Sequence, residues 1–183
     1  NITFLGKGKD TTTILGGFGI GNVENITFKQ MTVTNTSDGG CGIRMMNAKV
    51  ELFDVALKGC DNTWSSAALR IPGSTSETTI LVATRCKFAN SMFGAAVEGS
   101  LTSAKFNNCV FHDNKYDGIY ASQSTIHLHG EATAVHSNGN DGIYAVDSGK
   151  VIIHLPSHHN TSYNNGDQDR FTYGGGTITN VED

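Results

Sequence analysis

Proline is nearly missing from these 183 residues, with only 2, and charged side chains make up 16%, against roughly 25% in an average soluble domain. So little charge is inconsistent with the salt-bridge lacing of solvent-exposed helices. No apolar run of 18 residues occurs, so no segment reads as a membrane-spanning helix, and membrane insertion is not expected. The opening NITFLGKGKD lacks a charged segment followed by an apolar stretch, the pattern of a signal peptide. It starts directly in strand-like sequence without Met, as a mature product or a piece of a longer chain would. Lys and Arg total 13 against 17 acidic residues, a net charge of -4. With no clustered basic residues, a nucleic-acid partner is excluded on electrostatic grounds.

Glycine, by contrast, reaches 22 residues, and the chain repeats itself. The five residues DGIYA occur at 117–121 and again at 141–145, an offset of 24. A period between 20 and 50 residues marks a stack of supersecondary units rather than a single globular core. Apolar positions recur well beyond these two copies. Ile20, Ile43, Leu69, Val97, Ile119 and Ile143 make one column, with steps of 23, 26, 28, 22 and 24. A second column runs Ile26, Val50, Leu81, Ala104, Leu128 and Leu155, followed two residues on by Phe28, Leu52, Ala83, Phe106, Gly130 and Ser157. A third runs Met31, Val55, Cys86, Cys109, Thr133 and Asn160, followed two residues on by Val33, Leu57, Phe88, Phe111, Val135 and Ser162. The third column stays five residues behind the second throughout.

Alternating apolar positions in short stretches are the period of strands with one buried face, and the Gly, Asn, Asp and Ser between them suit turns. Three such strands per repeat predict an all-β fold, a single-stranded parallel β-helix of about seven coils around a narrow apolar core. Residues 1–183 then form one domain, with 171–183 as a C-terminal cap. Asn90, Asn114, Asn138 and Asn165 recur at the end of the third strand and predict a ladder of stacked amides.

The opening NITFLGKGKDTTTILGG and repeats such as VENITFKQMTVTNTSDGGCGIRM resemble the pectin-lyase-like superfamily of right-handed β-helix proteins. The resemblance extends over nearly the whole chain as a fold pattern. It implies a right-handed coil and relatives that include polysaccharide lyases, hydrolases, esterases and epimerases, although a fold does not by itself assign an activity. The N-T-D, D-D and G-H motifs of polygalacturonase-like members, whose carboxylates would protonate the leaving oxygen and activate water, are absent, as is the epimerase D-P-H motif. Gln168-Asp169 matches only two letters of the pectin esterase pattern. No catalytic residue is therefore assigned, and no cofactor is expected.

The repeat nevertheless marks candidate ligand-binding residues. One residue past the first apolar column, Arg44, Arg70, Glu98, Tyr120 and Tyr144 line up on the outward side. Tyrosines suit stacking on sugar rings, arginines suit pairing with uronate carboxylates, and in the resembled families the substrate groove runs over an equivalent sheet. The bland alternative is a solvated flank on which Arg70 simply pairs with Glu98. Trp64, the one tryptophan, lies in the longer bend GCDNTWSSAALR, and its exposure beside Arg70 would favour sugar binding. Asp117 and Asp141 stack on adjacent coils as an acidic pair suited to a proton or a cation, or as turn residues whose carboxylates accept backbone N–H groups.

Six of the seven histidines fall within 127–159, among them His127 and His129 on one strand face and His158 and His159 nearby. His127 and His154 are expected on one outward column, and His112 and His136 on another. Structural zinc needs four convergent ligands, and these histidines are expected to project from separate sheets, so no metal is assigned. Cys86 and Cys109 fall on adjacent coils within disulfide reach, but small buried thiols fill such columns well, and free cysteines are expected.

The function expected is a non-catalytic module, a glycan-binding or adhesion surface or a structural domain of a larger protein, with a polysaccharide or cell-surface glycan as partner. The alternative is a polysaccharide lyase or glycoside hydrolase acting on uronate chains. Self-association through the helix ends is a further expectation, because they expose unpaired strand groups. N-x-[ST] patterns at Asn1, Asn25, Asn35 and Asn160 point toward an extracellular or surface location.

Overall fold

Alternation over strands this short leaves each one able to bury only one side, so its partners must come from the neighbouring repeats. That is what is seen in the structure, a computed structural model that describes residues 1–74, 76–155 and 161–182. Every strand pairing among them is parallel and joins one repeat to the next, and no described residue is helical. The chain winds as a parallel β-helix with three faces.

On the first face Phe18, Ile43, Leu69, Ala95, Ile119, Ile143 and Arg170 stack in register. On the second face the stack is Ile2, Ile26, Val50, Leu81, Ala104, Ile126, Val151 and Ile178. On the third it is Ile14, Val33, Leu57, Phe88, Phe111, Val135 and Ser162. The third face matches the sequence expectation at every position from Val33 to Ser162; Ser157 and Asn160 lie outside the described residues. Residues Arg170–Tyr173 and Thr177–Glu182 continue in register over the preceding coil and form the last rung.

Two columns need correction. On the first face Ile20 pairs with Met45 and Val97 with Ala121, so both belong to a parallel inward column two residues on. On the second face Leu128 stacks between Phe106 and Ile153, while Leu155 pairs with Glu182. The reason is a longer bend after His129, where Gly130 turns at φ 86° and Thr133 N–H bonds back to the Gly130 carbonyl at 3.1 Å. Two extra residues there break the constant spacing of five.

Most corners are sharper. Gln30, Asp54, Arg85 and Asn108, at φ 56°, 53°, 54° and 52°, occupy the corner between the second and third faces. Asn90, Asp113, Ser137 and Asn164, at φ 48°, 54°, 56° and 55°, occupy the corner after the third. A single left-handed residue redirects a strand, and Asn and Asp tolerate that conformation better than most side chains. The interior enclosed by these corners is apolar and closely packed. Phe88, Phe106 and Phe111 are fully buried, and their rings pack at 4.7 to 5.4 Å.

The amide ladder is the polar counterpart of this core. Asn114 Nδ2 donates to Asn138 Oδ1 at 2.8 Å, and Asn138 Nδ2 donates to Asn165 Oδ1 at 2.9 Å. Each Oδ1 also accepts from a backbone N–H one coil below. Ser91, not Asn90, is the residue beneath Asn114, since the Ser91 N–H donates to Asn114 Oδ1 at 3.2 Å while Asn90 is the exposed corner residue. The ladder also explains why the repeated motif contains glycine. A Cβ on Gly118 would lie 2.7 Å from Asn138 Nδ2, and one on Gly142 2.5 Å from Asn165 Nδ2. The amides, together with the Val135 side chain at Gly118 and the Ser162 hydroxyl at Gly142, occupy the space that side chains at these two positions would need.

Asn138→Ala is expected to lower stability by about 2–4 kcal/mol, because it leaves Asn114 N–H and Nδ2 without the acceptor they share. Asn90→Gly, which keeps the left-handed corner, should change it by less than about 1 kcal/mol. Urea unfolding followed by far-ultraviolet circular dichroism checks both, and equal losses would show that the ladder has no special role.

Candidate functional site

Because equivalent positions stack, the outward side chains of the first face form a row along the helix axis. Its observed order is Gly19, Arg44, Arg70, Ala96, Tyr120, Tyr144 and Phe171. Four of the five strip residues expected from sequence are brought together here. Glu98 is displaced by two residues onto the neighbouring row, where it pairs in register with Ser122. It still reaches Arg70, whose Nη2 donates to Glu98 Oε1 at 2.9 Å. Arg44 is exposed, and among the described residues it has no ion-pair partner.

Placing Ala96 rather than Glu98 in the row shapes the surface. Ala96 has a small side chain between Arg70 below and Tyr120 above, and it floors a shallow depression of about 350 Å³ walled by Trp64, Arg70, Phe93, Glu98 and Tyr120. Trp64 is 67% exposed, standing out over this depression rather than folding across the core. Its ring lies 4.1 Å from Tyr116, which stacks on Phe93 at 5.5 Å. From Phe93 the aromatic contacts continue to Tyr120, Tyr144 and Phe171 at 6.3, 5.6 and 5.1 Å. Phe93, Tyr116 and Phe171 were not singled out from sequence. The outward parity of Phe171 was available in principle, whereas Phe93, two residues before the inward Ala95, has the parity of a core position and reaches the depression only at the strand's start, and Tyr116 sits in a bend and carries no periodic signal.

The bend that presents Trp64 is held at both ends. Lys115 Nζ pairs with Asp61 Oδ2 at 2.9 Å, the Cys60 N–H donates to Ser91 Oγ at 3.1 Å, and the Ser66 N–H donates to the Thr63 carbonyl at 2.9 Å. The first two contacts tie the bend to the coils above it, and the third closes a turn within it.

Asp117 and Asp141 do stack on adjacent coils, the Gly118 N–H bonding to the Asp141 carbonyl, but they do not face the row. They are 3% and 2% exposed. Asp117 Oδ1 accepts from Asn140 Nδ2 at 2.8 Å and from the Asp141 N–H at 3.1 Å. Asp141 Oδ1 accepts from the Gln168 N–H at 3.1 Å. This is the turn arrangement, in which each carboxylate ties its corner to the next coil. Burial pushes the Asp117 carboxyl up to about 6, against the lowering effect of its hydrogen bonds, and raises Asp141 as well.

The histidines differ from expectation. His127 and His129 lie on the strand Thr125–His129 and His154 on the strand Lys150–Leu155 directly above it, so these three share one face rather than separate sheets. The register puts His154 over His129, not over His127. His158 and His159 lie outside the described residues. His112 and His136 stack in register, with rings 5.4 Å apart, as expected. All four cysteines are buried and free.

The family model for the right-handed β-helix region matches residues 10–132 and 49–182, nearly the full chain, and the chain belongs to this family. Its coils are accordingly right-handed. No curated protein and no solved structure matches the chain.

The buried Asp117 sets a pH dependence with a definite sign. Its carboxyl holds a proton up to about 6 when folded, against the usual 3.9 or so of a solvated Asp. Its contribution to stability is therefore full below about pH 3.9 and is lost as pH rises through 6. Asp117→Asn keeps the Oδ1 acceptor and removes the charge. The variant should gain on the order of 2 kcal/mol relative to wild type between pH 4 and pH 7. Chemical denaturation across that range measures the difference, and parallel profiles would contradict this account.

Proposed function

We propose that this chain is a non-catalytic carbohydrate-binding β-helix module, which lays a glycan along the aromatic row of its first face. The observation that carries this reading is the unbroken series Trp64, Tyr116, Phe93, Tyr120, Tyr144 and Phe171 beside the Ala96 depression. Rings spaced by one rung, about 4.8 Å, offer successive stacking faces to a chain of sugars, and half-exposed aromatics supply contact area with little loss of side-chain entropy. The Arg70–Glu98 pair at the depression provides donors and acceptors suited to hydroxyl groups. Arg44 extends the row with a cation suited to a uronate carboxylate, a geometry that guanidinium recognises well.

The alternative of a uronate lyase or hydrolase would use Asp117 and Asp141 together with the row arginines Arg44 and Arg70. Both carboxylates are buried and engaged with the next coil, which favours the binding reading over the catalytic one.

Calorimetry against soluble uronans and neutral glucans tests the proposal. The Tyr120→Ala/Tyr144→Ala double variant should bind about 10-fold or more weakly while keeping its circular dichroism. Arg44→Gln should weaken uronan binding and leave neutral glycans unaffected. Affinity unchanged in the tyrosine variant would remove this face as the binding surface. Unsaturated products or new reducing ends released by the wild-type chain would show that it is catalytic.

A further inference from the structure

The second face carries a separate cluster that the aromatic row does not use. His127 and His129 are alternate residues of one strand, so both rings leave on the outward side, while Ile126 and Leu128, which alternate with them, are fully buried. His154 comes from the strand directly above. His127 Nδ1 lies 2.9 Å from His154 Nε2, and the His129 and His154 rings stack at 3.8 Å. One nitrogen from each imidazole lies within 4.8 Å of the other two, and all three residues are half-buried.

We propose that His127, His129 and His154 form a binding site for a borderline divalent transition metal such as Zn²⁺. With bonds of about 2.0–2.1 Å, two nitrogens on a tetrahedral zinc stand about 3.3 Å apart. The His127–His154 pair at 2.9 Å is within a few tenths of that separation. A pair as wide as 4.8 Å closes by about 1.5 Å through side-chain rotation alone. The backbone beneath the rings is held on both sides, by the Thr102–Asn107 strand below and the Lys150–Leu155 strand above. Ligands on paired strands of this kind are positioned more closely than ligands on loops. A set of three imidazoles selects zinc, copper or nickel over calcium and magnesium, which require oxygen ligands. It also leaves a coordination position for water or an anionic group. The His127–His154 hydrogen bond is given up when the metal enters, and the proton it holds moves to the other nitrogen of its own ring, so that both imidazoles ligate in the neutral form.

The test is titration of the full chain with Zn²⁺ alone by calorimetry, joined to X-ray absorption at the zinc edge. One equivalent should bind, and His129→Gln and His154→Gln should each weaken it about 10-fold or more. His112→Gln/His136→Gln, on the other histidine stack, should leave it unchanged. The absorption spectrum of the wild-type chain should show imidazole nitrogens at about 2.0 Å, a readout independent of whether any variant folds. Absence of saturable binding by roughly 100 μM Zn²⁺, oxygen-only coordination, or affinity unmoved by His154→Gln would each overturn the proposal.

Discussion

Everything in this molecule depends on the hydrogen bonds that run from one coil to the next. Backbone N–H groups of the described inner strands find their acceptors one repeat away rather than in a neighbouring segment, so the same position in successive repeats is brought to one strand spacing. The core, the amide ladder, the corners and both candidate sites are consequences of that registration. The corners show its strength. Side chains as unlike as Gln30, Asp54, Arg85 and Asn108 all adopt the left-handed conformation at one edge, a cost that persists only where the surrounding structure over-determines it.

Registration also converts a one-dimensional pattern into surfaces. The aromatic row needs no long loops, because Tyr120, Tyr144 and Phe171 follow one another on adjacent coils by virtue of pairing alone. Where the row carries a small residue, at Ala96, a depression opens. Where a bend lengthens, at 60–66, it brings Trp64 over that depression. The histidine cluster arises in the same manner on another face, with His154 carried onto the coil above His127 and His129.

The repeat, the all-β class, the three faces and the described positions of the third column were legible from apolar alternation alone. The errors in the apolar columns came from one ambiguity. Residues i and i+2 of a strand point the same way, so an apolar column can slip by two without violating the alternation. Ala95 and Val97 both point inward, and the larger Val97 is the more conspicuous, but it implies steps of 28 and 22, whereas Ala95 implies 26 and 24. The more even spacing was the better guide. The slip carried Glu98 into the aromatic row in place of Ala96, and the bend after His129 produced the corresponding slip on the second face.

The sequence by itself determined that the backbone coils, how often, and which side chains face inward, because burying alternate residues in stacked strands is a periodic constraint that periodic text records. Only the tertiary structure decided which rung each residue joins and what the irregular bends carry to the surface. Trp64 over Ala96 and His154 beside His127 are contacts between coils whose spacing is set by corner length, and corner length leaves no apolar period to read. The same holds for the acidic pair, since the sequence places Asp117 beneath Asp141 but only the packed corner shows their carboxylates buried and bonded to the next coil.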